Sequence, residues 1–282
     1  MVNNLLIYPL LVCMMITNNT AHSESFVWTQ ENYSHNVILE LDEYSSDPLA
    51  KALNERKEKE KRLIGEFVKI PQGSYRMGNI FKTKTRQNDN WPVHTVHING
   101  FYLGKYEVTQ AQWNELMTDA PVSAKCSTCP VVVYLKQAQE YLRRLNLNTG
   151  KQFRLPTESE WEYACRSGGK WERYCGGNNI DELGWYRENG NKKIHPVGLK
   201  KANAYGLYDM TGNVAEWVQD CYNSNYKGAP KDGSAWLEGS CHIRMLRGGS
   251  WYSAAVSAGS THRTLDMQRH PDATGFRLAY DE

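Results

Sequence analysis

The chain has 282 residues, of which 40% are hydrophobic and 23% charged, enough apolar content for one large domain or two small ones. Its 33 basic and 31 acidic residues leave a net charge of +2, which excludes the strong positive field of a general nucleic-acid binder. Mean hydropathy is negative, and no second long apolar run follows the amino-terminal one, so a polytopic membrane protein is also excluded.

The amino-terminal segment has the pattern of a signal peptide. Residues 5–16 form an apolar run that is short for a membrane span, and Ala21-His22-Ser23 fits a small-x-small cleavage site. We therefore predict a signal peptide at 1–23, a mature chain from Glu24, and an exported protein, periplasmic or secreted, without a membrane span after cleavage. The alternatives are a lipoprotein that uses Cys13 and an uncleaved anchor.

The cysteines agree with export. Setting Cys13 aside leaves an even number, which predicts a disulfide framework in an oxidising compartment. The CxxC motif can also be a redox pair or half a zinc site, but it lies in an apparent loop and has no second CxxC to complete a zinc site. Proximity along the chain favours the pairs Cys165–Cys175, Cys221–Cys241 and Cys126–Cys129.

Residues 24–64 are predicted to form an extension. Residues 37–39 are strand-like, and Asp47-Pro48 has the form of a helix start, with Asp47 as N-cap and Pro48 in the first helical position. Charges of alternating sign between Glu55 and Arg62 indicate a solvated helix over 49–64 rather than a basic patch for lipid or nucleic acid. This extension is expected to pack on, or tether, the domain that follows.

From Gly65 onward the pattern predicts a mixed α+β domain over 65–282. Short alternating segments at 67–70, 94–98 and 101–103 indicate strands. One helix is expected over 136–145 and another after Thr157, where Glu160 completes a capping box. Residues after 168 are rich in Gly, Asn, Trp and Tyr and show little helical periodicity. The helix at 136–145 should bury one face, formed by Ala138, Tyr141, Leu142 and Leu145.

Six sequence blocks then occur in order, and together they resemble the formylglycine-generating enzyme (sulfatase-modifying factor) family. The resemblance covers roughly residues 65–282. It implies an α+β fold related to C-type lectins that is low in regular secondary structure. The blocks are 73–78, 92–109, 153–164, 203–217, 246–251 and 275–279.

The resemblance also implies a structural calcium ion in the fourth block. Its ligands would be the side chains of Asp209 and Glu216 and the carbonyls of Gly212 and Val214, a set of oxygens of the kind calcium takes. The alternative is a plain Asn-Gly turn in which Glu216 accepts hydrogen bonds from backbone amides. The resemblance also implies a second calcium site within 178–190, for which it assigns no individual ligand residues.

The catalytic block departs from the family. Formylglycine-generating enzymes bind copper through two cysteines after the Arg-Gly-Gly-Ser motif, and those positions are Ser253 and Ala258 here. A thiolate selects Cu(I), whereas a serine hydroxyl does not and alanine has no ligand atom. No cysteine follows Cys241. Copper is therefore not expected.

Other catalytic arrangements are weaker. His262, Asp266 and His270 could form a facial metal site, although polar surface residues are the commoner outcome. Ser253 with His262 as nucleophile and base lacks the context of a nucleophile elbow. His94 and His97 should point to opposite faces of a strand. The candidates for a ligand-binding cleft are Ser250, Trp251, Tyr252, Ser253, His262 and Arg263.

These observations leave three functional hypotheses. The leading one is an exported maturation or accessory factor, without copper, that recognises an extracytoplasmic peptide, protein or small molecule. The second is a periplasmic oxidase of different mechanism, similar to the relatives that act in pyoverdine maturation, with an aromatic precursor held at Trp251 and Tyr252. The third is a non-catalytic assembly module that docks through the charged helix.

Overall fold

The computed structural model of the protein describes residues 48–82, 89–122, 125–265 and 271–282. The chain divides into two compact units, Met1–Leu53 and Asn54–Glu282. The predicted signal peptide, the strand-like residues 37–39 and the Asp47 cap lie outside the described residues. Within the described ranges, no helix is both long and apolar enough to cross a membrane.

The larger unit combines short helices and strands with long irregular segments. In chain order, the described helices are α1 (Pro48–Ile64, which begins in the smaller unit), α2 (Gln110–Leu116), α3 (Leu135–Thr149), α4 (Glu158–Cys165) and α5 (Ile180–Leu183). The described strands are β1 (Phe67–Ile70), β2 (Gly73–Met77), β3 (His94–Ile98), β4 (Phe101–Gly104), β5 (Ala215–Tyr222), β6 (Ser240–Arg247), β7 (Thr264–Leu265), β8 (Thr274–Gly275) and β9 (Ala279–Asp281).

The strands form three small sheets. Their orders are β1–β4–β9, β2–β3 and β7–β6–β5–β8, and only the β5–β8 pair is parallel. Strand β9 pairs with β4 in the first sheet, where Leu103 lies opposite Ala279. Segments far apart in the sequence therefore share this sheet. The α+β class with little regular structure is therefore confirmed.

Local sequence signals predicted three of the five described helices, α1, α3 and α4, and missed the short helices α2 and α5. Helix α4 has the expected capping box: the Thr157 hydroxyl accepts from the Glu160 amide at 3.1 Å, and the Glu160 carboxylate accepts from the Thr157 amide at 2.8 Å. Helix α3 is longer than predicted because Gly150, in a left-handed conformation, ends it four residues later. Its buried face is the predicted one, formed by Ala138, Tyr141, Leu142 and Leu145.

The end of α1 belongs to the core of the larger unit. Leu63 is 3% exposed and packs in the same hydrophobic cluster as Trp113 and Tyr141. Its carbonyl accepts hydrogen bonds from the Tyr141 hydroxyl and the Gln112 side-chain amide. The preceding turns of α1 are exposed and charged, as the sequence pattern predicted.

Helix α4 is buried on every side. Three of its eight residues are glutamates, and burying an ionised carboxylate without a partner is costly. Each glutamate has an arginine partner: Glu158 binds Arg263, Glu160 binds Arg154, and Glu162 binds both Arg166 and Arg247. The helix is thus stabilised by ion pairs as well as by its apolar side chains.

Buried arginines also stabilise the irregular segments of the chain. The four that are at most 2% exposed are Arg166, Arg247, Arg263 and Arg277. Besides a carboxylate, each guanidinium donates to carbonyl groups of irregular chain. Arg247, for example, donates to the carbonyls of His262 and Ser260. Because loops lack the hydrogen-bond ladders of helices and sheets, these donors satisfy backbone groups that burial would otherwise leave unpaired.

All three predicted disulfides are present, and they are Cys126–Cys129, Cys165–Cys175 and Cys221–Cys241. The CxxC loop caps the start of α2. The Cys129 carbonyl accepts a hydrogen bond from the Gln110 amide, and the Ser127 carbonyl accepts one from the Ala111 amide. Disulfides of this kind indicate an oxidising, extracytoplasmic compartment.

The buried ion pairs can be tested by replacing Glu162 with alanine. The substitution leaves the buried guanidinium of Arg166 without its carboxylate and that of Arg247 with only Glu158, at 3.7 Å. We therefore expect a loss of about 3–5 kcal/mol in the free energy of unfolding. Urea denaturation of the oxidised protein measures this loss. Glu140→Ala is the matched control, because Glu140 pairs with Arg143 and Arg144 on the solvent-facing side of α3 and its loss should change stability little. Equal effects of the two substitutions would contradict the interpretation.

Candidate functional site

The turn after β6 lies against Ser253 and Ala258, the two residues that the family resemblance predicts to stand at the copper-ligand positions. Gly249 has a φ of +67°, and a Cβ there would lie 2.9 Å from the Ala258 Cα. This close approach packs the turn against the 3-10 helix Ala255–Ala258. Ser253 folds back so that its hydroxyl accepts from the Ser250 amide at 3.0 Å.

The side chains at these two positions do not suit copper. The Ala258 methyl group is fully buried and offers no ligand atom, and the Ser253 hydroxyl already accepts a backbone hydrogen bond. Copper(I) requires soft sulfur ligands in such a site. Ser253 and Ala258 therefore do not fit a copper ion.

The remaining cleft candidates lie in different environments. Ser250 and Trp251 are buried, and the Trp251 amide donates to the Asn213 carbonyl. Tyr252 is 48% exposed and packs edge-on against Trp251 at 5.7 Å between ring centroids. The Arg263 guanidinium is buried and donates to Glu158 and to two backbone carbonyls, so it supports the fold rather than lining an open surface.

His262 lines a separate cavity of about 310 Å³. Its other described lining residues come from distant parts of the chain: Phe81, Asn90, Arg173, Tyr174, Ala255, Val256, Gly259 and Thr261. Two polar atoms of this lining are buried without a hydrogen-bond partner among the described residues, the Nδ1 atom of His262 and the Oδ1 atom of Asn90. A buried polar group without a partner is costly, and a ligand that bonds to it recovers that cost.

Burial and the positive charge of Arg247 lower the pKa of His262 to about 4. The imidazole is therefore neutral at pH 7, with one ring nitrogen able to accept a proton or a hydrogen bond. With the rings of Phe81 and Tyr174 in the same lining, the cavity suits a planar or aromatic group that carries a hydroxyl or amine.

Of the possible metal ligands His262, Asp266 and His270, the structure describes only His262, because the other two lie outside the described residues. His94 and His97 bond to different groups, the Pro92 carbonyl and the Ser74 hydroxyl. Among the described side chains, no group of three or more His, Cys, Asp and Glu is arranged to hold a metal.

In the block expected to bind calcium, the Asp209 carboxylate has an oxygen that could coordinate a cation. One of its carboxylate oxygens accepts from the Gly198 amide at 2.6 Å, and the other is buried without a hydrogen-bond partner among the described residues. Burial raises the pKa of Asp209 to about 6. An orphaned carboxylate oxygen of this kind is what a cation would satisfy.

Glu216 has other partners. Both of its oxygens accept from the Arg277 guanidinium, and one also accepts from the Trp161 indole at 2.7 Å. Glu107, which sequence reasoning missed, accepts from the Asn213 side chain and the Val214 amide, and burial beside Asp209 and Glu216 raises its pKa well above the ordinary value. Asp209 thus fits a calcium ion, whereas Glu216 is already neutralised by an arginine.

Comparison with known proteins agrees with this architecture. Residues 52–282 match the family described as the sulfatase-modifying factor enzyme 1-like domain. The chain belongs to this family. It is 32% identical over 234 residues to chaperone protein LppX of Paenibacillus barcinonensis, which covers 64% of this chain and 79% of LppX.

Two further family members resemble the chain. The structure of PvdO from Pseudomonas aeruginosa superposes with a TM-score of 0.66 at 30% identity, covering 77% of this chain and 94% of PvdO. The inactive C-alpha-formylglycine-generating enzyme 2 of Bos taurus is 36% identical over 145 residues, which are 45% of this chain and 43% of the bovine protein. The proteins that the chain resembles therefore have quite different names.

Within this family scaffold, the cavity residues Phe81, Asn90 and Tyr174 were not predicted. No local pattern marks them, since they are brought to His262 only by the tertiary fold. Of these cavity residues, the sequence pointed to His262, because it lies near the carboxyl end of the chain, where the resemblance places the family's cleft.

The protonation state of His262 predicts a pH dependence. Its pKa is about 4 in the folded protein and near its ordinary value of 6.5 in the unfolded chain, so the unfolded chain binds more protons between these values. The stabilising contribution is present above pH 6.5 and is lost as the pH falls toward 4. We expect wild type to lose more stability than His262→Gln over this window, measured by urea denaturation at a series of pH values. Parallel curves for the two proteins would contradict the prediction.

Proposed function

We propose that this protein is an exported maturation or accessory factor of the sulfatase-modifying factor family that does not generate formylglycine with copper. One observation carries the proposal: in a scaffold that has the family fold, a serine and a buried alanine stand at the two positions that the resemblance assigns to the copper ligands. A scaffold that loses its metal ligands but keeps its fold can still bind a partner or ligand.

Recognition is proposed to take place at the His262 cavity. Its volume of about 310 Å³ suits an aromatic or other planar group of an extracytoplasmic peptide, protein or small molecule. Asn90 and His262 supply the polar contacts, and Arg173, exposed at the same lining, can pair with an anionic substituent. Names such as chaperone and inactive enzyme among the relatives support a binding role.

The copper part of the proposal is tested with Ser253→Cys/Ala258→Cys. Because thiolates are the ligands that select Cu(I), we expect the double variant to gain stoichiometric Cu(I) binding that wild type lacks. Titration with Cu(I) against a competing chelator measures the difference. Ser253→Cys alone is the matched control, and circular dichroism checks that the buried position 258 tolerates the larger side chain.

Two results would overturn this part. The first is stoichiometric copper in the wild-type protein, and the second is conversion of cysteine to formylglycine in a sulfatase-motif peptide incubated with wild-type protein, copper and oxygen. A double variant that folds but gains no copper site would show that positions 253 and 258 are not placed as in the family.

His262 favours a second candidate, a periplasmic oxidase of different mechanism. A neutral imidazole with an unpartnered nitrogen in an aromatic-lined cavity is placed to accept a hydrogen bond from the hydroxyl of a phenol-like substrate and so to orient it. The structural likeness to PvdO supports this alternative. It is distinguished from a binding role by oxygen consumption with a small aromatic substrate, which should persist after cysteines are blocked and fall in His262→Gln. Ligand binding without oxygen consumption would contradict the oxidase and support the accessory role.

A structural calcium ion is proposed at Asp209, with the carbonyls of Gly212 and Val214, and with Glu216 contributing if it shares its contact with Arg277. The orphaned Asp209 oxygen supports the site. Calcium should raise the melting temperature of wild type, because a ligand that binds only the folded state stabilises it.

Asp209→Gly should abolish this calcium-dependent increase. Glycine tolerates the φ of +56° at this position, so the backbone need not change. Asp232→Gly, at an exposed carboxylate, is the matched control. An equal increase in all three proteins, or none in wild type, would contradict the site.

A further inference from the structure

A second concave surface lies next to the His262 cavity and is made by other residues. This groove has a volume of about 590 Å³, and two tryptophans line it, Trp91 and Trp171. Their exposed fractions are 53% and 67%, although indole rings are usually mostly buried. Large exposed aromatic side chains that share a groove are typical of an interaction surface.

The groove carries positive charge. Arg76 and Lys82 are exposed along it, and the described residues that line it include no carboxylate. A third cation, Arg166, is buried and neutralised by Glu162 at 2.9 Å. The charges available to a ligand are therefore the two exposed cations, and the complementary ligand is anionic.

Glycines deepen the floor of the groove. Gly169 has a φ of +88°, and a Cβ there would lie 2.4 Å from the Tyr75 Cβ, so a side chain cannot occupy this place without displacing Tyr75. The adjacent strand β2 does not offer a free edge at this point, because its Arg76 carbonyl accepts from the Arg166 guanidinium at 2.8 Å. Recognition here depends on side chains rather than on addition of a strand.

We infer that this groove binds an acidic peptide segment of a partner protein, in which an apolar or aromatic side chain is flanked by Asp or Glu. The indoles of Trp91 and Trp171 would contact the apolar side chain. Arg76 and Lys82 would pair with the flanking carboxylates, the arginine in bidentate geometry.

This inference goes beyond the function proposed for the His262 cavity and does not depend on it. The two surfaces share a boundary, where Phe81 of the cavity packs edge-on against Trp171 of the groove at 5.1 Å between ring centroids. Their recognition chemistries differ, since one offers unpartnered polar atoms and the other offers cations and indoles. A substitution in one surface should therefore leave binding at the other unchanged.

The test uses isothermal titration calorimetry of the full oxidised chain. The probe is a short acetylated and amidated peptide in which one phenylalanine is flanked by glutamates. Two comparison peptides replace either the glutamates by lysine or the phenylalanine by serine. We expect the probe to bind, and both comparison peptides to bind about tenfold more weakly or not at all. Added salt should weaken binding of the probe.

Variants locate the binding. Arg76→Gln/Lys82→Gln and Trp171→Ala should each weaken binding of the probe by about tenfold. The matched controls, Lys201→Gln and Leu199→Ala, remove an exposed cation and an exposed apolar side chain elsewhere, and they should have no effect. His262→Gln should also have none, which separates failure of this inference from failure of the proposed function.

Three results would overturn the inference. One is absence of binding by the acidic probe, and another is equal binding of the lysine peptide, which would indicate an apolar patch without charge selection. The third is probe binding that is unaffected by both groove variants. Sedimentation velocity in the same buffer completes the test, because a dimer that dissociates in Trp171→Ala would assign the groove to a second copy of this chain instead.

Discussion

The burial of charged side chains in pairs is the interaction on which the rest of the structure depends. Helix α4 is buried on every side and carries three glutamates. Two of their arginine partners are near in the sequence, Arg154 and Arg166, and two come from segments far along the chain, Arg247 and Arg263. Each pair is favourable only as a unit, because removing one partner leaves a charge in a medium that cannot solvate it. The same guanidinium groups donate to loop carbonyls, so a fold with few helices and strands still satisfies its buried backbone.

The network also sets the properties of the candidate site. Arg247 donates to the carbonyls of Ser260 and His262, which holds the loop that carries the imidazole. Its positive charge, together with burial, keeps that imidazole neutral at physiological pH. Stability and site chemistry are therefore coupled through one residue, and a change made to Arg247 would alter both. This coupling explains why a substitution at His262 itself is the cleaner probe of the cavity.

The protein combines a retained family fold with an altered catalytic block. It keeps the family fold, and the resemblance predicts Ser253 and a buried Ala258 at the two positions where thiolates would hold copper. What remains are two adjoining concave surfaces of different chemistry, one with unpartnered polar atoms and the other with exposed indoles and cations. A protein that presents both could hold an anionic segment of a partner while a planar group enters the cavity, which is consistent with a maturation or accessory role.

The sequence by itself determined the features that depend on near neighbours along the chain. Sequence reasoning predicted the capping box at Thr157, the buried face of α3, the three disulfides and the strands β1, β3 and β4, though not β2. Turns, helix periodicity and short loop closures are local interactions. The sequence also identified the family, through ordered blocks, whereas the absence of copper ligands at Ser253 and Ala258 stays a prediction. Only the tertiary structure decided that α4 is buried on every side and that Arg263, a candidate for the cleft, is instead the partner of Glu158, 105 residues away. The physical reason is that a buried charge or an open cavity is defined by partners from distant segments, and no local pattern records which segments will meet.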